Sequence, residues 1–374
     1  MSMSTDKQKI IPLASPMFDE EMETVAINAL RNERFVLGED VHKFEDEFAR
    51  YIGTRYAVST SSGTNALHIA YLALGLGCGD EVVTSAFSFV ASANTVLHAG
   101  ATPVFADVDA KTFNVDPEEM KRCVTKRAKA LVPVHLYGYP CDMREISSLA
   151  EDRGLKVVED ACQAHGAEYH GRKAGAIGNV GCFSFYPSKN MTVCGDGGMI
   201  VTNDEEVAKL AAKLRDCGRK SQYEHDVVGY TSRLNTVNAA IGRVQLRRLD
   251  EWNRKRIQIA ALYDKLLIDI EEVVCPPRGD SEVKPVYHLY VIRAKRRNEL
   301  RDYLQRSGVS CGVHYPLPIP FQPVYQQLCE FKAGDYPISK LLAQECLSIP
   351  MHPFLSEEDI EYVGKRIHEF YKSD

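Results

Sequence analysis

Apolar runs alternate with helical periodicity along the first two-thirds of the chain. Runs rich in valine, isoleucine, phenylalanine and alanine predict strands at YAVST (56–60), EVVTS (81–85), TPVFADV (102–108), KALVPVHL (129–136), KVVED (156–160), GCFSFY (181–186) and GMIVTN (198–203). Segments between the earlier runs, such as GTNALHIAYLAL and DMREISSLAEDRG, have the amphipathic period of helices. Strands and helices that alternate at this spacing predict an α/β fold with a mostly parallel central sheet flanked by helices.

The pattern changes after a long helical stretch at about residues 235–270, which is long enough to link two domains. The order beyond it predicts a strand in PVYHLYVIR (285–293), a helix in RNELRDYLQRSG (297–308), a strand in VSCGVHY (309–315) and a closing helix from Ser356. We therefore predict a large domain over residues 12–250 and a smaller α+β C-terminal domain over residues 251–374.

Composition and charge argue against several classes of protein. The 374 residues carry a net charge of −6 and no long basic run, which argues against a nucleic-acid partner. No stretch reaches the ~18–20 apolar residues of a membrane helix, and the polar N-terminus lacks a signal-peptide pattern. The eleven cysteines contain no CxxC pair. We therefore expect reduced thiols, no metal site, no membrane partner and a cytoplasmic location.

A turn of small residues, SSGTNAL, directly follows the first predicted strand. Free backbone N–H groups at a helix N-terminus, together with the helix dipole, favour a phosphate dianion at such a turn. Gly63, Thr64 and Asn65 are the candidate ligands of that phosphate. The same sequence is also typical of an ordinary helix cap at Ser62 or Thr64, so the turn alone does not decide between the two interpretations.

Two acids, Glu159 and Asp160, end a buried strand, and Gln163 follows them. A carboxylate at this position is costly unless a cation or a hydrogen-bond donor meets it. A protonated pyridine nitrogen is one such cation, and a carboxylate that keeps this proton in place lets the ring withdraw electrons. A helix cap or a buried salt bridge would use the same acids, and these alternatives stay open.

Lys189 lies just beyond an apolar and aromatic strand, in the run GCFSFYPSKNMTVCGDGGM. Ligands of an open parallel sheet bind beyond the carboxyl ends of its strands. A lysine that is desolvated there can lose its proton near neutral pH and attack a carbonyl carbon. Lys173 lacks this setting, so we expect a solvated surface amine. Ser184 could face a phosphate or bond only to backbone.

An aromatic residue follows the strand EVVTS in the run SAFSFVASAN. Phe87 or Phe89 could stack on a planar ring, which contributes about 0.5–1.5 kcal/mol beyond burial, and core packing is the alternative for either residue. Phosphate turn, aromatic residue, acid with glutamine, and lysine thus occur in this order, each at the end of a predicted strand.

With these motifs the sequence resembles the DegT/DnrJ/StrS sugar aminotransferases, which are pyridoxal-phosphate enzymes of the aspartate-aminotransferase fold type (fold type I). The resemblance spans about Pro12 to Pro353 and includes FVLGEDVHKFEDEFARYIG, GCGDEVVTSAFSFVASAN, GATPVFADVD, HLYGYPCDM and GYTSRLNTVNAAIG. It implies the cofactor pyridoxal 5'-phosphate, a nucleotide-linked keto-sugar substrate, glutamate or glutamine as amino donor, and a homodimer with a shared active site.

The resemblance also implies a role for each matching residue. Lys189 would bond covalently to the cofactor and later move the proton between cofactor and substrate carbons. Asp160 would pair with the pyridine nitrogen, and Gln163 would contact the hydroxyl side of the ring. The other implied contacts are Phe89, which matches the stacking aromatic residue in preference to Phe87; Thr64, Asn65 and Ser184, at the phosphate; and Arg233, whose segment reaches into the partner's site.

Two positions depart from the pattern of the family, and they concern the dimer interface and the wall that faces the substrate. Thr231 stands in GYTSR where an asparagine is frequent, and Pro320 stands where a histidine often follows the H-Y-P segment. The lysine at position 189 favours transamination over sugar dehydration, and YPSKN with GDGG slightly favours amination of C3 over C4. The alternatives are an aminotransferase for a cyclitol or related keto acceptor, and a non-catalytic regulator that keeps the cofactor fold.

Overall fold

The computed structural model of the protein describes residues 10–328 and 334–372. Its strands are β1 (Tyr56–Thr60), β2 (Glu81–Ser85), β3 (Thr102–Ala106), β4 (Ala128–Val132), β5 (Lys156–Asp160), β6 (Glu168–Tyr169), β7 (Arg172–Lys173), β8 (Val180–Ser184), β9 (Gly198–Thr202), β10 (Val273–Val274), β11 (Val283–Lys284), β12 (Tyr290–Ala294) and β13 (Cys346–Ile349). The large sheet has the order β1-β9-β8-β5-β4-β2-β3, and the two small sheets have the orders β10-β12-β13 and β11-β6-β7.

Strand directions in the large sheet follow the predicted α/β pattern. Pairing is parallel from β3 through β2, β4 and β5 to β8. The exception is β9, which is antiparallel to both of its neighbours, β8 and β1. Every residue of β2 and β9 is buried, as expected for a sheet covered on both faces. The prediction of a mostly parallel sheet is confirmed.

Helices cover the sheet and connect its strands. They are α1 (Glu20–Asn32), α2 (Glu39–Ile52), α3 (Gly63–Ala73), α4 (Ala91–His98), α5 (Pro117–Cys123), α6 (Met143–Arg153), α7 (Glu205–Arg215), α8 (Thr236–Leu267), α9 (Arg297–Arg306), α10 (Pro323–Leu328), α11 (Pro337–Glu345) and α12 (Glu357–Lys372). Among the described helices, none combines the length and the apolar character that crossing a bilayer would need.

The helix α8 joins two hydrophobic cores. Its Leu249 packs with Phe183 and Phe185 under the large sheet, whereas its Tyr263 and Leu267 pack against the β10-β12-β13 sheet. The helices α9 and α12 contribute to the second of these cores, so the C-terminal part is an α+β unit. The predicted domain boundary after residue 250 falls inside α8, and the division into two domains stays a prediction.

One predicted strand is wrong. Residues 309–315 form only isolated bridges, from Val309 to Ile11 and from Gly312 to Ser348. The third strand of this small sheet is instead β13, which pairs with β12 along four residues. The segment lies beside β13 at Gly312, but its two single bridges do not form a continuous ladder. The predicted run 129–136 is also too long, because β4 ends just before Pro133, which has no N–H to donate.

Candidate active site

A cavity of about 520 Å³ opens at the carboxyl ends of β1, β2, β5 and β8. The opposite wall of the cavity consists of residues 13–14, 288–289 and 314–315, which lie close to the β10-β12-β13 sheet. The predicted site residues in the cavity wall are Gly63, Thr64, Phe89, Asp160, Gln163, Ser184 and Lys189. The predicted residues Asn65 and Arg233 are not part of this wall.

Lys189 follows β8 through a short turn, in which its backbone N–H donates to the carbonyl oxygen of Tyr186 over 2.8 Å. The side chain is half-buried, and it lines the cavity. Burial lowers the pKa of Lys189, while the nearby Cys162 and Asp160 oppose this shift. No carboxylate within the described residues forms an ion pair with it, so the amine is closer to its neutral, nucleophilic form than a surface lysine is.

Asp160 ends β5 and presents a buried carboxylate, which is 5% exposed, to the same cavity. Its Oδ2 accepts a hydrogen bond from Ser92 Oγ (2.8 Å), and its Oδ1 accepts one from the N–H of Cys162 (3.2 Å). Both donors are neutral, and in the part of the chain that the structure describes this carboxylate has no ion-pair partner. Such a carboxylate is suited to a cationic group of a ligand. Ser92 lies in the run SAFSFVASAN, but no role was predicted for it from the sequence.

The neighbouring acid, Glu159, has a different environment because successive residues of a strand point to opposite faces. It is fully buried and accepts hydrogen bonds from His135 Nε2 (2.9 Å) and from three backbone N–H groups within residues 175–178. Burial raises the pKa of Glu159, but His135 and these N–H groups outweigh burial, so the pKa lies below its usual value. Glu159 is thus the buried structural acid of the pair.

The turn after β1 is a helix cap, and it also borders the cavity, as a phosphate site would. Ser62 is the N-cap of α3, since its Oγ accepts from the N–H of Asn65 over 3.1 Å. Asn65 donates its side-chain amide to Ser61 Oγ (2.7 Å) rather than lining the cavity. A Cβ on Gly63 would lie 2.6 Å from Ser184 Cβ, so glycine is needed for this close approach of α3 to β8. The N-terminal turn of α3 thereby borders the cavity.

Phe89 and Gln163 form further parts of the wall. Phe89 is 53% exposed at the cavity, whereas Phe87 is fully buried in a core cluster. Gln163 Oε1 accepts from the N–H of Tyr137 (2.8 Å), and its Nε2 donates to Tyr315 OH over 3.2 Å. The ring of Tyr315 also lies 6.1 Å from that of Phe89. The H-Y-P motif was the available signal for Tyr315, but sequence reasoning did not assign it to the site.

Arg233 lies outside the cavity of its own chain and donates to Asp216 Oδ1 over 2.7 Å. Thr231, the first departure from the family pattern, is exposed, and its backbone forms an isolated β-bridge with the same Asp216. Pro320, the second departure, is buried in the short helical turn Ile319–Phe321 and is not part of the cavity wall. In the described structure, neither substitution therefore changes the surface of this cavity directly.

The expectation of a solvated amine at Lys173 is wrong. Its side chain is 22% exposed, and its Nζ lies 3.5 Å from Glu168. The same Nζ lies 4.5 Å from the centre of the Tyr51 ring. Lys173 is therefore a partly buried structural lysine, and it does not line the cavity.

The chemical character of the cavity wall fits pyridoxal phosphate. A desolvated amine suits the aldehyde of this cofactor, and an unpaired buried carboxylate suits its ring nitrogen. The N-terminus of α3 suits the phosphate, and an accessible aromatic ring suits the planar pyridine. Among residues 10–328 and 334–372, no cluster of three or more histidine, cysteine, aspartate or glutamate side chains has the arrangement of a metal site.

Residues 16–368 match the DegT/DnrJ/EryC1/StrS aminotransferase family. The pleiotropic regulatory protein of Geobacillus stearothermophilus is 43% identical over 353 residues, which cover 94% of this chain and 95% of that protein. The dTDP-3-amino-3,4,6-trideoxy-alpha-D-glucose transaminase of Streptomyces venezuelae is 40% identical over 94% of this chain and 92% of its own. The crystal structure of S. venezuelae DesV in complex with a ketimine intermediate is similar with a TM-score of 0.91, at 39% identity over 94% of each chain. The chain therefore belongs to the DegT/DnrJ/EryC1/StrS aminotransferase family and is a pyridoxal-phosphate-dependent sugar aminotransferase.

Proposed function

We propose that this aminotransferase moves an amino group from glutamate or glutamine to C3 of a nucleotide-linked keto sugar. The observation that carries the proposal is the convergence of Lys189 and Asp160 on one cavity at the carboxyl ends of the sheet. Nucleotide linkage and position C3 are supported by the S. venezuelae relative, whose name is that of a dTDP-3-amino-sugar transaminase.

Each residue of the cavity would have a defined task. Bound pyridoxal phosphate supplies an aldehyde that accepts an amino group and a ring that withdraws electrons. Lys189 holds that aldehyde carbon and, when its amine is free, takes a proton from the donor α-carbon and returns a proton to the acceptor. Asp160 keeps the ring nitrogen protonated, because its buried carboxylate stabilises a cation there.

The remaining wall residues would position the cofactor. Phe89 stacks on the ring, and Gln163 contacts its hydroxyl side while its amide is held by two hydrogen bonds. Gly63, Thr64 and Ser184 receive the phosphate at the N-terminus of α3. We expect Asn65 to act on the phosphate indirectly, since its side chain binds Ser61.

Transfer to an added acceptor tests this function. Purified protein loaded with pyridoxal phosphate is expected to form the amino form of the cofactor with glutamate or glutamine, and a 3-keto nucleotide sugar should restore the aldehyde form. A 4-keto nucleotide sugar and a keto cyclitol are the matched acceptors, and the product is assigned by NMR. Restoration by the 4-keto sugar or the cyclitol alone would contradict the proposal, as would failure of both donors.

We also propose a homodimer in which Arg233 of the partner subunit completes the site. Within the described residues the cavity wall contains no arginine, although the cofactor phosphate and the donor carboxylates are all anionic. Arg233 is ion-paired with Asp216 on the outside of its own chain. Large apolar side chains are exposed near the segment of Arg233, and Phe35 is one of them (68% exposed). Such side chains are suited to burial against a second copy of the chain.

Mixed dimers test the shared site. We expect Arg233→Ala and Lys189→Ala homodimers to be inactive, and each mixed dimer of the two chains to have about one half of the wild-type activity, because one of its two sites then contains both native residues. The control is co-expression of Lys189→Ala with Asp160→Asn, which should restore no activity, because Lys189 and Asp160 belong to the cavity of the same chain and every site of this mixed dimer lacks one of them. Absence of restored activity in a mixed dimer of verified composition would show that Arg233 acts within its own chain or not at all.

We propose a cytoplasmic location. The ten cysteines of the described residues are all free thiols, and several of them are buried, which suits a reducing compartment. Cell fractionation with an antibody against the protein checks this, and recovery in an exported fraction would contradict it.

A further inference from the structure

Three histidines lie close to Lys189: His165, His288 and His314. Burial, followed by the charge of Lys189, lowers the pKa of each ring, to about 3 for His165. The rings are therefore neutral at neutral pH. A neutral imidazole has one nitrogen that can accept a hydrogen bond.

His288 differs from the other two because it lines the cavity and also has a ring nitrogen without a hydrogen-bond partner among the described residues. His165 is fully buried and does not line the cavity. His314 lines the cavity, but its Nδ1 is hydrogen-bonded to Ser348 Oγ over 2.8 Å. His288 lines the cavity and is 5% exposed, and its buried Nδ1 has no hydrogen-bond partner among the described residues. An unpaired nitrogen of this kind is costly unless a donor reaches the ring during function.

The backbone around His288 includes one unfavourable conformation, and close contacts and hydrogen bonds hold it in place. Tyr287 has φ 45°, in the left-handed region, which is unfavourable for a residue other than glycine. A Cβ on Gly138 would lie 3.0 Å from His288 N, so the two segments approach each other closely. The buried Arg256 donates to the carbonyl oxygens of Tyr287 (3.1 Å) and His288 (3.3 Å). These contacts fix the position from which the ring faces the cavity.

We propose that His288 is a positioning residue for Lys189: its free ring nitrogen accepts a hydrogen bond from the ε-ammonium of Lys189 whenever this lysine is released from the cofactor. The inference rests on the proposed function, in which free Lys189 carries a proton. That proton passes from the donor carbon to the amine, which becomes an ammonium, and then from the ammonium to the receiving carbon. His288 stays neutral throughout, and it keeps the ammonium from turning towards the carboxylate of Asp160.

Chemical labelling of Lys189 in the cofactor-free protein tests this contact without any turnover. An acceptor stabilises the ammonium, so its removal in His288→Phe should move the pH midpoint of labelling by an amine-reactive reagent, read by mass spectrometry, downward by about 1 unit. The other titratable groups around Lys189 remain in this variant: Asp160, Cys162, Asp196, His165, His314, Tyr186 and Tyr315. Equal midpoints in wild type and variant would overturn the proposal.

Two conservative variants and one control make the result specific. His288→Asn puts an amide near the position of Nδ1, and His288→Gln puts one near Nε2, so one of them should restore the midpoint. His352→Phe is the matched control, because His352 is 4% exposed, has no hydrogen-bond partner on either ring nitrogen within the described part of the chain, and does not line the cavity. A shift of the same size in His352→Phe would mean that loss of any buried imidazole perturbs the protein, and this would also overturn the proposal.

Kinetics of the loaded enzyme give a second measurement. In His288→Phe we expect kcat to fall about 10-fold with little change in the donor KM, and the isotope effect with α-deuterated donor to rise, since proton transfer becomes slower than the other steps. Full activity of Lys189→Ala would refute the proposed function itself. An inactive Lys189→Ala together with unchanged labelling in His288→Phe would refute only the role of His288.

Discussion

The Lys189→Ala variant is expected to lose the visible absorbance of the covalently held cofactor and to turn over at least about 10⁴-fold more slowly than the wild type, the upper end of what general acid–base catalysis contributes. In the proposed function, this variant loses both the amine that would hold the aldehyde and the group that would carry the proton. Within the described residues the cavity wall contains no second lysine, so no neighbouring amine can replace Lys189.

Lys173→Ala is the matched control for that experiment. Lys173 is also partly buried, but it pairs with Glu168 away from the cavity. We therefore expect its spectrum and turnover to resemble those of the wild type. Turnover of Lys189→Ala within about 10-fold of the wild type, measured as kcat for amino transfer, would be incompatible with the proposed role of this residue.

The Asp160→Asn variant should keep its fold and lose about 10²- to 10⁴-fold in kcat/KM. Removal of one partner from a buried charge pair costs about 3–5 kcal/mol, and each 1.36 kcal/mol is a factor of ten in rate. The amide can still accept from the N–H of Cys162 and can donate to Ser92 Oγ, so the local hydrogen bonds survive. Only the negative charge, which in the proposed function would face the ring nitrogen, disappears.

The measurements are kcat/KM for amino transfer, the pyridoxal-phosphate dissociation constant and the thermal midpoint of the loaded protein. Ser92→Ala is the companion variant, because it removes one hydrogen bond to Asp160 and leaves the charge; about a 10-fold loss is expected. If Asp160→Asn has a wild-type thermal midpoint and wild-type kcat/KM, then the carboxylate does not hold the ring proton.

Local patterns of hydrophobic and polar residues were sufficient to predict the architecture. The runs 56–60, 81–85 and 156–160 are strands with the predicted bounds, since short apolar runs between helical segments leave a parallel sheet as the natural way to bury both faces. That architecture in turn indicates the end of the sheet where ligands bind. For this reason seven of the nine predicted site residues could be chosen before any coordinates, and they line one cavity.

The physical difference between neighbouring residues is found only in the tertiary structure. The strand pattern does not distinguish Glu159 from Asp160, and only the family resemblance selected Asp160; the difference arises from His135 and three N–H groups, which reach Glu159 from elsewhere in the chain. The resemblance likewise selected Phe89 over Phe87, and the structure gives the reason, because Phe87 is fully buried and Phe89 is 53% exposed. Pairing across the chain also decided the third strand of the small sheet, which is β13 rather than residues 309–315.

The sequence by itself determined the order of the elements and the edge of the sheet that carries the amine and the acid, because both depend on periodicities within about ten residues. Only the tertiary structure determined the opposite wall, in which His288 and Tyr315 face Lys189 from segments more than 90 residues away along the chain. Contacts of this kind depend on how the C-terminal unit packs against the large sheet. No local pattern of hydrophobic and polar residues encodes that packing.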